Sequence, residues 1–186
     1  MRCFIAVDVD EALKNRILEI QRSIEKLNVN VKMVKPENLH FTLKFIGEVE
    51  NEVVDLIKNH LSSCLEKMNN FEIEIGGLGY FGSKNYIRVI WLDIIKGKNE
   101  MKNLMNIINT HVKFGEKTSE PHLTLGRVKS GKNVHSLLNF IEKNKDVHIG
   151  KMSVNELKLK MSVLSKEGPK YSDLAIFKLH EIHEKI

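Results

Sequence analysis

The chain has 186 residues, of which 42% are hydrophobic and 28% are charged, and its formal net charge is +5. These values are typical of a soluble globular protein that is long enough to bury a core, and they exclude an intrinsically disordered chain. No apolar run is long enough for a signal peptide or a membrane span, so we expect a cytoplasmic protein with no membrane partner.

Hydrophobic periodicity predicts an alternation of strands and helices along the chain. The first elements in chain order are strand 2–9, helix 10–27, strand 39–46, helix 51–68 and strand 71–80. The next are strand 86–95, helix 98–113, strand 122–129, helix 133–143 and strand 147–163, followed by a final strand 171–179. The helices are indicated by one-sided apolar faces, such as that of Val54, Ile57 and Leu61.

The same element order therefore occurs twice, which predicts an internal duplication within a single domain, with halves of about 1–82 and 83–186. We interpret this as a pseudo-symmetric α+β protein in which the second strand of each half, 39–46 and 122–129, is central. A doubly wound parallel sheet is the alternative, but the first strand lacks the phosphate-binding loop of such folds.

The most informative motif is His40-Phe41-Thr42-Leu43, which recurs as His122-Leu123-Thr124-Leu125. In a strand, its period of two puts histidine and threonine on one face and the apolar residues on the other. A single copy would be interpreted as a structural histidine on a core-facing strand. Two copies at matched positions instead favour two imidazoles beside two hydroxyls around a polar pocket.

Other motifs are weaker. Gly77-Leu78-Gly79-Tyr80-Phe81-Gly82 matches a dinucleotide-binding fingerprint in its letters, but a β-rich segment follows where the fingerprint needs a helix, so we predict a hairpin with glycine turns. His180 and His183 lack the spacing of a helical metal pair. The motif supplies only two histidines, whereas zinc sites as a rule need three protein ligands, so we expect no metal site.

The segment Pro36–Glu48 closely resembles the first signature of the 2H phosphoesterases, and within them that of the RNA 2′,3′-cyclic phosphodiesterases, also called 2′-5′ RNA ligases. Pro121–Arg127 is similar to the second signature. Arg2–Asp8, the glycine-rich segment before Arg88-Val89-Ile90-Trp91, and Leu164–Tyr171 agree as well, so the resemblance spans essentially the whole chain. It implies a two-lobed, pseudo-two-fold α+β fold with antiparallel sheets lining a central cleft and helices on the outside.

The resemblance implies hydrolysis of RNA 2′,3′-cyclic phosphate ends to 2′-phosphomonoesters, without metal or nucleotide cofactor. His40 would be the proton donor and His122 the proton acceptor, and Thr42 and Thr124 would bind the phosphate. RNA with cyclic phosphate ends is the implied partner, and no obligate protein partner is evident. Run in reverse, the same site would join a cyclic end to a 5′-hydroxyl.

Three further residues are candidates for substrate contact. Lys44 has the strand parity of His40, which favours a charge at the pocket edge. The resemblance suggests a substrate-contacting arginine at Arg127, although simple alternation puts it opposite His122, so it needs a bulge or a strand end to reach the pocket. Tyr171 lies in the last segment that resembles the family, and its aromatic ring makes it a candidate to stack on an RNA base.

Three alternative functions are open at this point. A related 2H enzyme would act on a small cyclic phosphate, such as ADP-ribose 1″,2″-cyclic phosphate, or on 2′-5′ oligoadenylate. A non-catalytic module would bind RNA ends and keep its binding when either histidine is lost. A metal-dependent phosphodiesterase would lose its activity in a chelator.

Overall fold

Two stretches of the chain, 1–166 and 168–181, are described by the computed structural model. Its strands are β1 Arg2–Asp8, β2 Val31–Met33, β3 His40–Glu48, β4 Phe71–Ser83, β5 Tyr86–Lys96, β6 Leu123–Val128, β7 His148–Val154, β8 Glu156–Ser165 and β9 Gly168–Lys178. Its helices are α1 Glu11–Glu25, α2 Asn51–Leu65, α3 Lys98–His111 and α4 Val134–Lys143, and a short 3₁₀ turn covers Pro36–Asn38. The predicted α+β class and the four predicted helices are confirmed.

All strand pairs are antiparallel, and the order across the curled sheet is β7-β4-β5-β6-β3-β1-β8-β9, with β2 pairing separately with β6. The antiparallel prediction is therefore confirmed, and the parallel alternative is wrong. The two motif strands lie side by side at the centre, where Phe41 and Leu123 are their registered pair. On the β3 side of this junction lies a four-stranded lobe, and on the β6 side lies a lobe of four strands to which β2 adds a fifth.

The lobes do not follow the predicted halves of the sequence. Strand β4, from the first half, pairs with β5 and β7 of the second half. Helix α1 packs on β6 and β7, whereas α3 packs on β3, so the two halves exchange helices across the molecule. This exchange buries the apolar face of each helix against strands from the other half, which ties the motif strands into one core.

One predicted element is wrong and one was missed. The strand predicted at 147–163 is two strands that break at Asn155. Strand β7 pairs with β4 at one edge of the sheet and β8 pairs with β1 in the other lobe, so the chain has to pass between lobes at this residue. Strand β2 has three residues, too few to give a periodic signal.

None of the helices in residues 1–166 and 168–181 has both the length and the apolar character needed to cross a membrane.

Candidate active site

A cleft of about 510 Å³ lies between the lobes, over the junction of β3 and β6. Its floor is formed by the polar faces of the two motif strands, and β2, the 3₁₀ turn and the β8–β9 hairpin provide its rim. The lining residues are Lys32, Met33, Val34, Lys35, Asn38, His40, Thr42, Phe45, Phe81, Val89, His122, Thr124, Arg127, Lys129, Gly168, Pro169 and Tyr171.

The alternation predicted for the motif is confirmed in both copies. The apolar side chains Phe41, Leu43, Leu123 and Leu125 are each 0% exposed in the core. The histidines and threonines between them are partly exposed and line the cleft. Burial of the apolar face therefore fixes which face of each strand carries the polar groups.

Both imidazoles are held by the same backbone contact. Nδ1 of His40 lies 2.6 Å from the carbonyl oxygen of Asn38, and Nδ1 of His122 lies 3.0 Å from that of Glu120. Since a carbonyl oxygen only accepts, each Nδ1 carries a proton and donates it. The second nitrogen, Nε2, is the one in each ring that is not bonded to the backbone.

The two threonines differ in their contacts. Thr42 Oγ1 lies 3.0 Å from His40 Nε2, so the hydroxyl donates to this nitrogen when the ring is neutral. Among the described residues, the hydroxyl of Thr124 has no hydrogen-bond partner, although it lines the same cleft. Both hydroxyls are therefore positioned beside the space between the two histidines.

A β-bulge changes the parity of β3 directly after the motif. Thr42 and Lys44 pair with consecutive residues of β1, which leaves Leu43 as an extra residue and turns Lys44 away from the cleft. Lys44 is 1% exposed, and its ammonium donates to Asn109 Oδ1 at 2.9 Å. The expectation that Lys44 forms a charge at the pocket edge is therefore wrong, and Phe45 lines the cleft in its place.

A matching bulge on β6 brings Arg127 into the cleft. Thr124 and Gly126 pair with consecutive residues of β5, so Leu125 is the extra residue. The parity changes after it, and Arg127 lines the cleft on the same side as His122 and Thr124. The bulge that the sequence required for Arg127 is present.

Both imidazoles contact aromatic rings. The His40 ring centroid lies 5.0 Å from that of Phe4 and 5.5 Å from that of Tyr171, the latter in an edge-to-face arrangement. The His122 ring meets Phe81 edge to face at 4.8 Å. Tyr171 therefore lies at the site as predicted, and a role in stacking on a base stays a prediction.

The electrostatic environment of His40 favours its neutral form. Burial lowers the pKa of His40 below its ordinary value of 6.5, and the positive charges of Lys160 and His122 act in the same direction. The hydrogen bond to the Asn38 carbonyl and the carboxylate of Asp8 oppose this lowering of the pKa. Without an anion in the cleft, His40 is therefore mostly neutral at pH 7.

Residues 7–91 match a family model described as LigT like phosphoesterase. The chain is 39% identical over 182 residues to an RNA 2′,3′-cyclic phosphodiesterase of Methanothermobacter thermautotrophicus, covering 96% of this chain and 99% of that one. It is 36% identical over 181 residues to the protein of the same name from Archaeoglobus fulgidus, covering 95% and 99%.

The chain belongs to the LigT-like phosphoesterase family.

The fold agrees with this assignment. The crystal structure of TT0787 of Thermus thermophilus superposes with a TM-score of 0.81 at 25% identity, covering 98% of this chain and 100% of that one. The predicted membership of the 2H phosphoesterases is confirmed. This LigT-like protein is an enzyme of the phosphoesterase class.

Several cleft residues of this phosphoesterase were missed by sequence reasoning. Lys32 lies on the unpredicted strand β2, and Lys35 lies just before the 3₁₀ turn. Lys129 follows β6, and Phe45 and Phe81 reach the cleft after bulges in β3 and β4. A signal for Lys129 existed, since it has the parity of Arg127. No sequence signal marked the others.

Of the weaker motifs, the Gly77–Gly82 segment contributes Phe81 to this phosphoesterase site, where its ring meets that of His122. The segment Gly77–Gly82 lies inside β4, and the chain turns back into β5 only after Ser83, so the rejection of a dinucleotide fingerprint is confirmed while the placement of glycines at the turn is wrong. Gly79 instead lies against the Trp91 ring, where an added Cβ would come within 2.4 Å of the indole. The backbone N–H of His180 donates to the Met68 carbonyl, and its ring Nε2 donates to the Glu66 carbonyl. His183 lies outside the described residues.

Among the residues that the structure describes, no three histidine, cysteine, aspartate or glutamate side chains lie together in a group that fits a metal ion. Cys3 and Cys64 are free thiols.

Proposed function

We propose that this protein hydrolyses RNA 2′,3′-cyclic phosphate ends to 2′-phosphomonoesters, without a metal ion, by general acid–base catalysis with His40 and His122. The substrate class is supported by the names of the relatives at 39% and 36% identity. The mechanism rests on one observation: both imidazoles use Nδ1 to hold the backbone and keep Nε2 for the same cleft.

The proposed reaction breaks one P–O bond and forms another. A water oxygen attacks phosphorus on the side opposite the ribose 3′-oxygen, and His122 Nε2 takes the proton of that water. His40 Nε2 gives its proton to the departing 3′-oxygen, which leaves a 3′-hydroxyl and a 2′-phosphomonoester. Each of these proton transfers is typically worth roughly 10²–10⁴ in rate.

The pentavalent intermediate or transition state carries extra negative charge on its non-bridging oxygens. We assign Thr42 and Thr124 as hydrogen-bond donors to these oxygens, because both hydroxyls lie beside the histidines in the cleft. Arg127 supplies a positive charge on the side of the cleft that carries Thr124. Tyr171 borders the site next to His40.

Because the pKa of His40 is lowered, we propose that the bound substrate helps to protonate this ring. A phosphodiester bound in the cleft brings a negative charge close to the ring, and a nearby opposite charge favours the protonated imidazole. His40 is then loaded with its proton mainly when the substrate is present.

Reverse ligation follows from the same chemistry. If an RNA 5′-hydroxyl replaces the water, His122 takes its proton, His40 again protonates the departing 3′-oxygen, and a 2′-5′ linkage forms. We propose this as a secondary activity, because water competes with the RNA alcohol.

The test is hydrolysis of a short RNA ending in a 2′,3′-cyclic phosphate, in EDTA, by the unchanged protein, His40→Ala and His122→Ala. We expect conversion to a 2′-phosphate, and a loss of at least ~100-fold in each variant. His60→Ala is the matched control, since His60 is a histidine of helix α2 that does not line the cleft.

Each alternative function has its own result in this test. Turnover that needs a divalent cation would contradict the metal-free mechanism. Binding of cyclic-phosphate RNA without turnover would indicate an RNA-end-binding module. Turnover that favours a small cyclic phosphate over RNA would keep the two-histidine mechanism and overturn the RNA assignment.

A further inference from the structure

Four cations lie on one wall of the cleft. Lys32 comes from β2, Lys35 precedes the 3₁₀ turn, and Arg127 and Lys129 lie at the end of β6. All four side chains are exposed. Within residues 1–166 and 168–181, none of the four forms an ion pair or a hydrogen bond, and the described cleft lining contains no aspartate or glutamate.

The lysines behind His40 are different. Lys158 and Lys160 lie 3.0 Å from a carboxylate oxygen of Asp8, and both also pair with Asp173. The fold therefore neutralises lysines close to this part of the site and leaves those of the β2–β6 wall without carboxylates. Positive charge without a carboxylate partner is therefore concentrated on the β2–β6 wall of the cleft.

Two of the unpaired cations lie directly opposite each other. Lys32 and Arg127 are registered partners on the antiparallel strands β2 and β6, and both face the cleft. Like charges at such a position repel and destabilise the strand pair. An anion bound between them would remove this repulsion.

The cations also continue in one direction from the reacting groups. Thr124 on β6 is followed on the cleft side by Arg127 and then, directly after the strand ends, by Lys129, which lies two residues or about 6.6 Å of extended chain beyond Arg127. On β3, the residue after the bulge that lines the cleft is Phe45, which carries no charge. The adjoining pocket beyond β3 is lined by Arg2 and also by a carboxylate residue, Glu116, whereas the β2–β6 wall, as far as the structure describes it, has four cations and no carboxylate.

A 2′,3′-cyclic phosphate occupies the 3′ end of an RNA, so the rest of the strand extends only in the 5′ direction and carries one negative charge per nucleotide. We propose that Lys32, Lys35 and Lys129, here called the cationic strip, bind the phosphates of the nucleotides 5′ to the cyclic phosphate. The preferred substrate is then an RNA strand of several nucleotides, not a free cyclic mononucleotide. This inference rests on the proposed function and adds a second binding region to it.

The test compares two triple variants. Lys32→Gln/Lys35→Gln/Lys129→Gln removes the strip, and Lys67→Gln/Lys143→Gln/Lys145→Gln removes the same charge at exposed positions outside the cleft. The substrates are adenosine 2′,3′-cyclic phosphate, the same nucleotide with a 5′-diphosphate, and a tetraribonucleotide ending in a 2′,3′-cyclic phosphate. kcat/KM is measured for each substrate at low and at moderate salt.

We expect the strip variant to lose at least tenfold more kcat/KM with the tetranucleotide than with the simple cyclic mononucleotide, and the control variant to show no such difference. Each phosphate contact on a single strand contributes about 0.7 to the slope of log affinity against log salt, so the strip variant should reduce the tetranucleotide slope by about 2. Equal losses for both substrates, or an equal loss in the control, would overturn the proposal. A loss as large with the 5′-diphosphate nucleotide would assign the strip to a small phosphorylated nucleotide and reject the RNA strand.

Binding separates this proposal from the proposed function. Fluorescence anisotropy with a labelled tetranucleotide ending in a 2′-phosphate needs no turnover. If the unchanged protein hydrolyses none of the cyclic substrates, the proposed function fails. The strip is still supported if its variant raises Kd at least tenfold at low salt relative to the control, and it is rejected if Kd is unchanged.

Discussion

His40, which begins β3, and His122, which directly precedes β6, each bond the backbone carbonyl two residues earlier but have different neighbours. His40 lies against Phe4 and Tyr171, and burial lowers its pKa. His122 meets one aromatic ring, that of Phe81. Two nearly identical motifs therefore provide two imidazoles with different environments, which is the condition for assigning one as acid and the other as base.

The two motif strands also differ in the residue that directly follows the motif or its bulge. At the position that the bulge turns inward, β3 has Lys44 and β6 has Gly126. Gly126 lies under β2, where an added Cβ would come within 2.8 Å of Met33 Sδ, so a side chain is excluded there. Lys44 has room, and it bonds Asn109 Oδ1 and the carbonyl of Glu116 in the segment leading towards His122.

The largest effect is expected from the two threonines. Thr42→Val and Thr124→Val each remove a hydroxyl donor at nearly constant volume, and loss of one preorganised donor costs roughly 10²–10³ in kcat. The measurement is kcat for a cyclic-phosphate RNA. Thr110→Val, which removes a surface hydroxyl bonded to its own helix, is the control. Full kcat in either cleft variant would contradict the assignment of that threonine.

Arg127 and Lys44 should give opposite results, because the bulges turn one into the cleft and the other into the core. Arg127→Gln should lower kcat/KM by about 10–100-fold, since a hydrogen bond to a charged group is worth about 1.5–3 kcal/mol, with little change in stability. Lys44→Met should keep kcat/KM and lower the free energy of unfolding by about 1–3 kcal/mol, since it leaves Asn109 Oδ1 unsatisfied.

Urea denaturation and steady-state kinetics on both variants check this contrast. Lys117→Met is the control for Lys44, because Lys117 is exposed in the same region and should change stability by less than about 0.5 kcal/mol. A Lys44→Met protein with normal stability and reduced activity would restore Lys44 as a substrate contact.

The roles of the histidines are tested by the pH profile of the residual activity of His122→Ala, in which His40 is the remaining imidazole of the pair. If His40 donates a proton, kcat/KM must fall as pH rises through the pKa of His40. Because burial lowers that pKa, the midpoint should lie below 6.5. The pH profile of kcat reports the enzyme–substrate complex, in which the bound phosphate favours protonated His40. The midpoint of that profile should therefore lie at higher pH. Residual activity that rises over this pH range would identify His40 as the acceptor.

The smallest effect concerns the charges behind His40. The carboxylate of Asp8 raises the pKa of His40, so Asp8→Asn should move the same midpoint to still lower pH. Asp173→Asn is the matched control, because it also pairs with Lys158 and Lys160 but is not among the charges acting on His40. Equal shifts in the two variants would mean that the lysines, and not Asp8, set the effect.

Much of the site followed from local pattern. Period-two alternation identified the faces of His40, Thr42, His122 and Thr124, because burying the intervening apolar residues leaves a strand one orientation. Lys44 was misassigned by the same rule. An extra residue at Leu43 reverses the parity, and a bulge depends on pairing with β1, which the local sequence does not report.

The cationic strip was hidden for a different reason. Strand β2 is too short for a periodic signal, and Lys32 faces Arg127 only because the β2–β6 pairing brings together residues far apart in sequence. The exchange of strands between lobes was hidden in the same way, since the repeat order gives no information on which half β4 joins.

By itself, the sequence determined the α+β class, the four helices, the two motif strands and the faces they present. These features depend on the side-chain period and on local propensity, which short stretches of chain carry in full. The tertiary structure alone decided the positions of the bulges, the burial of Lys44, the entry of Arg127 into the cleft and the unpaired charge beside it. Each of these depends on contacts between segments distant in sequence, and such contacts exist only once the core has packed.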